Sequence, residues 1–390
     1  MYTIGETIGI ISAIFCLILL PVFVAQSASA ERLKIIPLKG TYFEIGRSWG
    51  KALKTDLKRS IDQELGGIAR FVSKDKKELT AMSNKLIPVA NRYDPEFMQV
   101  LKGMADGSGL FFEDLFALRS LLELMFYCNK LPAMCTSFAV TADATADGST
   151  IIGQNIDWQP GNGMSLLRIT WPNGVEQLSL SLGGIWEYPL SSHPSSPPFG
   201  LASNLAVSMT ETQNLEQVPI SIVMSRASRQ KRLERALSVF VNSQQNIAGF
   251  ILANAEQEIV GIELAANTYE VLFPEEDVMV RANHYLTPRF KDMDFFSRYW
   301  PDSYLRNNRL KRLIEKDWGK ITPQLMMKKL SDHNNYPKSL CTHVDSESVF
   351  APSQTLASVI MVPEKKIMYI ANGNPCETPY LEYRFDSHLQ

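Results

Sequence analysis

A thiol at Cys135, a carboxylate at Asp157 and two side-chain amides, Gln154 and Asn155, fall within one short stretch. These are parts for nucleophilic attack on a carbonyl carbon. A thiol becomes a useful nucleophile only beside a base and fixed dipoles, and a carboxylate with two amides is a sufficient start. A hairpin must bring them together. Cys135-Thr136-Ser137-Phe138 opens a strand over 135–141, Asp147-Gly148 is a two-residue turn signal, and 150–158 returns as the second strand, setting Asp157 close to Cys135. The competing reading is an inert core residue, since free cysteine is among the most buried types.

The rest of the chain bounds the setting. Its 390 residues, 45% hydrophobic and 21% charged with a formal charge of −2, form a large core and give no general attraction to nucleic acid. The largely apolar run 8–25, followed by Ala28-Ser29-Ala30, reads as a secretory signal peptide cut after Ala30 (residues 1–30), so a secreted or periplasmic protein is expected. The charges flanking the run, Glu6 before and Arg32 and Lys34 after, are wrong for simple export and leave an uncleaved membrane anchor as the alternative. Beyond the leader, Cys128, Cys135, Cys341 and Cys376 form an even set that an oxidising compartment would pair. A reactive Cys135 leaves at most one bridge.

The chain then divides into two blocks. From about 42 to 126, apolar residues recur at three and four spacings, as in Phe43-Ile45-Trp49-Leu53 and Phe97-Val100-Leu101-Met104, which reads as helices broken at Gly66-Gly67 and near Gly107-Ser108-Gly109. After Cys135 the period becomes two. Strands are expected at 135–141, 150–158, 166–171, 177–182, 205–210, 249–254, 259–265, 269–273 and 278–283, then helices at 303–317 and 322–332, then strands at 358–362 and 366–371. The Pro- and Ser-rich segment 191–198 reads as a surface loop. Strands bracketed by helical blocks make a layered α+β fold.

Motifs in order now identify a resemblance. Leu38-Lys39-Gly40-Thr41-Tyr42-Phe43-Glu44-Ile45-Gly46 with Gly50, Leu101-Lys102-Gly103-Met104-Ala105-Asp106-Gly107-Ser108-Gly109, Cys135-Thr136-Ser137, Gly153-Gln154-Asn155 with Asp157, Ala282-Asn283-His284-Tyr285-Leu286, Asp302-Ser303-Tyr304-Leu305-Arg306 and Gly373-Asn374-Pro375-Cys376 occur in sequence. Together they resemble the acyl-coenzyme A:6-aminopenicillanic-acid acyltransferase family, and more distantly choloylglycine hydrolases and acid ceramidases. The resemblance implies an N-terminal-nucleophile αββα sandwich of two antiparallel sheets between helical layers, made as a precursor. Residues 31–134 would become a helical N-terminal chain that stays as a non-covalent partner of the catalytic chain 135–390, after Cys135 cuts its own Met134–Cys135 bond. The freed α-amine, with a pKa of about 8, then serves as base for the thiol on the same residue.

Roles come residue by residue from that likeness. Cys135 matches the nucleophile, Asp157 the acid that positions the amine, and Asn283 the oxyanion donor. The plain reading of Asn283 is a strand-end turn residue whose replacement by Ala costs little stability. Arg306 or Arg309, one helical turn apart, supplies a cation near the site. Gln154 stands where the bile-salt hydrolases and ceramidases carry Arg; with Asn155 and Glu211, in Thr210-Glu211-Thr212, it is a candidate for substrate binding. His284, His333 and His343 would matter only to a papain-like pairing. Asp332-His333 with Cys341-Thr342-His343 reads as a structural hydrogen-bond cluster rather than zinc, because the spacing is loose, and no cofactor or metal is expected. The expected activity is hydrolysis of a linear amide through an acyl-enzyme. Transfer of the acyl group to an amine, or a non-catalytic binding homologue, are the alternatives.

Overall fold

The computed structural model describes residues 31–72, 74–127, 134–208, 217–243, 245, 247–265, 267–347 and 352–386. The leader, Cys128 and Glu211 lie outside them. Fourteen strands are described: β1 Ile35–Lys39, β2 Met134–Ala142, β3 Gly148–Trp158, β4 Met164–Thr170, β5 Glu176–Leu182, β6 Trp186–His193, β7 Ser196–Val207, β8 Ile247–Asn254, β9 Ile259–Ala265, β10 Thr268–Leu272, β11 Val278–Arg281, β12 Gln354–Val362, β13 Ile367–Ala371 and β14 Leu381–Arg384. One sheet runs β1-β4-β5-β6-β7-β8-β9-β10 and the other β11-β2-β3-β12-β13-β14. All pairings are antiparallel except β1 with β4.

Strand alternation explains the layering. Along β2, Ala139 joins the core between the sheets, whereas Phe138 and Val140 join a second core with Leu310, Ile314 and Met326 of the outer helices. The helices Asp302–Glu315 and Pro323–Leu330 therefore cover one face of the six-stranded sheet. The expected αββα layers are present.

The N-terminal helices pack by backbone contact. A Cβ on Gly46 would stand 1.9 Å from the Val100 carbonyl oxygen, and one on Gly103 2.1 Å from that of Phe43, so only glycine lets the helices Tyr42–Ala52 and Pro95–Ser108 approach this closely. This is the physical content of the two glycine motifs. The block is tied to the sheet as well: β1 pairs along β4, Trp49 Nε1 donates to the Gly184 carbonyl at 2.9 Å, and buried Arg119 and Glu187 pair at 2.9 Å. The N-terminal helices and the eight-stranded sheet thus share one core.

Two expectations need correction, and one pair of helices is new. Segment 191–198 is not a loop: it forms the end of β6, a tight turn and the start of β7, with Pro197 and Pro198 tolerated at a strand's opening. The strand expected at 205–210 starts earlier, at Ser196. The helices Ile220–Ser228 and Leu233–Val241 fall in a stretch to which the sequence reading assigns no element, although Leu233, Ala236, Leu237 and Phe240 recur at helical spacing.

Candidate active site

Cys135 lies at the start of β2, opposite Ile156, while Met134 lies opposite Asp157. Its side chain is buried and lines an apolar hollow between the sheets with Leu122, Trp158, Leu182, Trp186 and Met224. Side chains hold its backbone on both sides. The Cys135 N–H donates to Asn283 Oδ1 at 2.9 Å, and its carbonyl accepts from Arg306 Nη1 at 2.9 Å and from Asn204 Nδ2 at 3.1 Å.

Arg306 organises this arrangement. It is 1% exposed and also donates to Thr136 Oγ1 at 2.8 Å, to Asn283 Oδ1 at 3.0 Å and to Asp302 Oδ2 at 2.9 Å. Its place is set by the helix period, because Ser303, Arg306, Leu310 and Ile314 form the buried stripe of that helix. Arg309 points elsewhere, into a two-pronged pair with Asp332 at 3.0 and 2.6 Å. Of the two arginines, only Arg306 reaches Cys135.

Asn283 is fixed by three partners. Its oxygen accepts from Cys135 and Arg306, and its Nδ2 donates to the Leu205 carbonyl at 2.8 Å. Two donors on one side settle which atom is the oxygen. The side-chain amide that reaches the Cys135 carbonyl is instead Asn204 on β7, whose oxygen accepts from Ser137 Oγ. Sequence reasoning misses Asn204. The available signal is a polar residue inside an otherwise apolar strand, which once buried must find partners.

Asp157 is fully buried and accepts from Thr355 Oγ1 at 2.6 Å and Thr342 Oγ1 at 3.2 Å. Burial pushes its carboxyl up to about 7, against the opposing pull of Arg306 and the two threonines. The Cys135 thiol is pushed up to about 12, chiefly by burial and then by the Asp157 charge, with the Asp157 N–H and Arg306 working the other way. In the uncut chain this is a protonated thiol, not a resting thiolate.

Other expected residues sit apart from the hollow. Gln154 clips the two sheets together, its Oε1 accepting from the Ser203 N–H at 2.7 Å and its Nε2 donating to the Ser203 carbonyl at 3.3 Å. Asn155, on the opposite face of β3, donates to the Leu330 and Leu340 carbonyls at 2.9 and 2.7 Å. His284 bonds Ser303 Oγ at 2.8 Å, and burial with the Arg281 and Arg306 charges depresses it to about 4, so it is neutral. His333 and His343 lie beside Cys341 and Cys376.

A family model described as acyl-coenzyme A:6-aminopenicillanic acid acyl-transferase matches residues 199–377, which include Asn204, Asn283 and Arg306. Over these residues the chain is similar to that acyltransferase family. A curated relative, the 40 kDa form of acyl-coenzyme A:6-aminopenicillanic-acid-acyltransferase from Emericella nidulans, is 22% identical over 324 residues, covering 78% of this chain and 84% of its own. Among solved structures, a variant of conjugated bile acid hydrolase from Clostridium perfringens aligns at 14% identity over 66% of this chain and 98% of that one, with a TM-score of 0.40. Penicillin V acylase from Agrobacterium tumefaciens aligns at 10% identity over 61% and 83%, with a TM-score of 0.36. The chain is an α+β protein by its own two sheets and helical layers, and its sequence likeness is to enzymes of acyl transfer.

Proposed function

We propose that the protein is an exported, self-processing cysteine hydrolase that cleaves a linear amide through an acyl-enzyme on Cys135. The observation that carries this reading is the grip on both backbone groups of Cys135, with Asn283 Oδ1 at its nitrogen and Arg306 and Asn204 at its carbonyl. A structural cysteine in a strand needs no such side-chain frame. An acceptor at the nitrogen is what a freed α-amine requires to hold its orientation.

The processing step balances without an outside reagent. The Cys135 Sγ bonds to the Met134 carbonyl carbon, the C–N bond to Cys135 breaks, and the thiol proton passes to the departing nitrogen. Water then opens the thioester, releasing the Met134 carboxylate and restoring the thiol. In turnover the new α-amine takes the thiol proton, Sγ attacks the amide of the substrate, the amine product leaves with that proton, and water releases the acid. The apolar walls of the hollow favour an apolar acyl group. Transfer to an amine in place of water, as the relative's name describes for that protein, is the second reading.

Mass spectrometry of the purified protein tests this directly. Wild type should give a chain beginning at Cys135, and an exported precursor should begin at Glu31 once residues 1–30 are removed. Cys135→Ala should remain one uncut chain, inactive against a panel of acylated amines and peptides. Cutting of Cys135→Ala as complete as in wild type, or an intact and active wild type, overturns the reading.

A further inference from the structure

Outside the active site, four side chains from two distant segments converge at one point. His333, Cys341, His343 and Cys376 each offer one ligand atom, and all four atoms lie within 4.8 Å of one another. We propose that they bind one zinc ion as a closed tetrahedral site.

The distances carry the argument. With Zn–S of about 2.3 Å and Zn–N of about 2.0–2.1 Å, tetrahedral geometry separates ligand atoms by about 3.8 Å for two sulfurs, about 3.5 Å for sulfur and nitrogen, and about 3.3 Å for two nitrogens. Here Cys341 Sγ and Cys376 Sγ are 3.4 Å apart, His343 Nε2 is 3.7 and 3.5 Å from those sulfurs, and the two Nε2 atoms are 3.1 Å apart. Each of these separations falls within a few tenths of an ångström of a zinc-centred tetrahedron. Cys341 and Cys376 are free thiols.

The chemistry of the set agrees. Two imidazole nitrogens and two sulfurs facing one another are four lone-pair donors with few protons to share, an arrangement that one cation satisfies at once. Mixed nitrogen and sulfur ligation suits zinc, and four protein ligands leave no open position, which makes the site structural rather than catalytic. Binding converts two thiols to thiolates and releases two protons. Supporting contacts are in place: Asn374 Nδ2 donates to Cys341 Sγ at 3.5 Å and to the Thr342 carbonyl at 2.8 Å, the Cys341 N–H donates to the Asp332 carbonyl at 3.1 Å, and the His343 N–H to the Pro337 carbonyl at 3.0 Å. The spacing of His333, Cys341 and His343 alone argued against a metal. Cys376, delivered by the turn after β13, completes the set.

The site has a consequence for the hollow around Cys135. Thr342 lies between two of the ligands and donates to Asp157 Oδ2 at 3.2 Å. Zinc would therefore pin the segment that positions Asp157.

The test uses the full chain, purified under reducing, metal-free conditions and titrated with zinc against a chromophoric chelator. One equivalent should bind, cobalt in its place should give the visible bands of tetrahedral thiolate ligation, and the melting temperature should rise with zinc. Changes to supporting residues commonly cost metal sites about 10–100-fold in affinity, so loss of a ligand in Cys376→Ser or His333→Ala should weaken zinc binding by more than about 100-fold. The proposal is overturned by substoichiometric uptake in the reduced protein, by a Cys341–Cys376 disulfide in a parallel preparation made without reductant, or by variants that bind zinc as tightly as wild type.

Discussion

Cys135 and Cys341 are both buried thiols, and the two regions around them differ in what the neighbours offer. Around Cys135 the polar neighbours aim at its backbone, while its sulfur faces an apolar hollow. Around Cys341 the neighbours aim lone pairs at the sulfur itself. A nucleophile needs space for a carbonyl and a frame that holds its attachment; a ligand needs other ligands. The same side chain is committed to one or the other by what converges on it.

The comparison breaks most visibly by exchanging sulfur for oxygen. Cys135→Ser should lose roughly 10³-fold or more in turnover and cut itself slowly, with a melting temperature close to wild type, because the frame grips the backbone. Cys376→Ser should lower the melting temperature measured with zinc present. An unfolded Cys135→Ser would make Cys135 a structural residue after all.

Next in size is the amide donor. Asn204→Ala removes a side-chain donor that holds the Cys135 carbonyl, so it should lower kcat by about 10²-fold, the scale on which misplacing a reacting group costs rate. Asn283→Ala is different from what its strand-end position in the sequence implies. It orphans the Cys135 N–H, the Leu205 carbonyl and part of Arg306, so a loss of about 1–3 kcal/mol in stability should accompany lost activity. Paired melting and kinetic measurements separate the two asparagines.

A pH effect sharpens the account of Asp157. Its carboxyl sits near 3.8 unfolded and about 7 folded, so the folded state holds a proton that the unfolded chain has lost between those values. Stability from this group is complete below about 4 and declines as pH rises to about 7, at up to about 1.4 kcal/mol per pH unit. Buried Glu123 is raised to about 7 and contributes in the same sense. The diagnostic is therefore a difference: in uncut Cys135→Ala, adding Asp157→Asn should flatten the decline seen by denaturant unfolding. Equal slopes would mean that Asp157 is ionised in the fold.

The smallest effect is expected at Arg309→Ala. Its pair with Asp332 is partly exposed, so chemical unfolding should register less than about 1 kcal/mol. A loss of activity like that of Arg306→Ala would erase the distinction between the two arginines.

What the sequence determined by itself was local. Apolar runs either side of a short connection set the β2–β3 hairpin, and with it the backbone nearness of Cys135 and Asp157, because strand period acts within a few residues. The turn itself is the longer stretch 143–147, with Gly148 paired to Ala142, and not the two-residue turn that Asp147-Gly148 suggests. The glycines of the N-terminal block read in the sequence only as breaks and motif residues; that Gly46 and Gly103 set the approach of two helices is decided by packing. Tertiary structure alone decided which buried polar atom faces which. Thr355 carries no local signature, the motif that holds Cys376 does not say that it meets His333, Cys341 and His343, and Arg306 could not be told from Arg309 until the helix was docked against β2. Burial removes water as a partner, so each such group must be satisfied by whatever the packed fold brings to it, however far away in the chain.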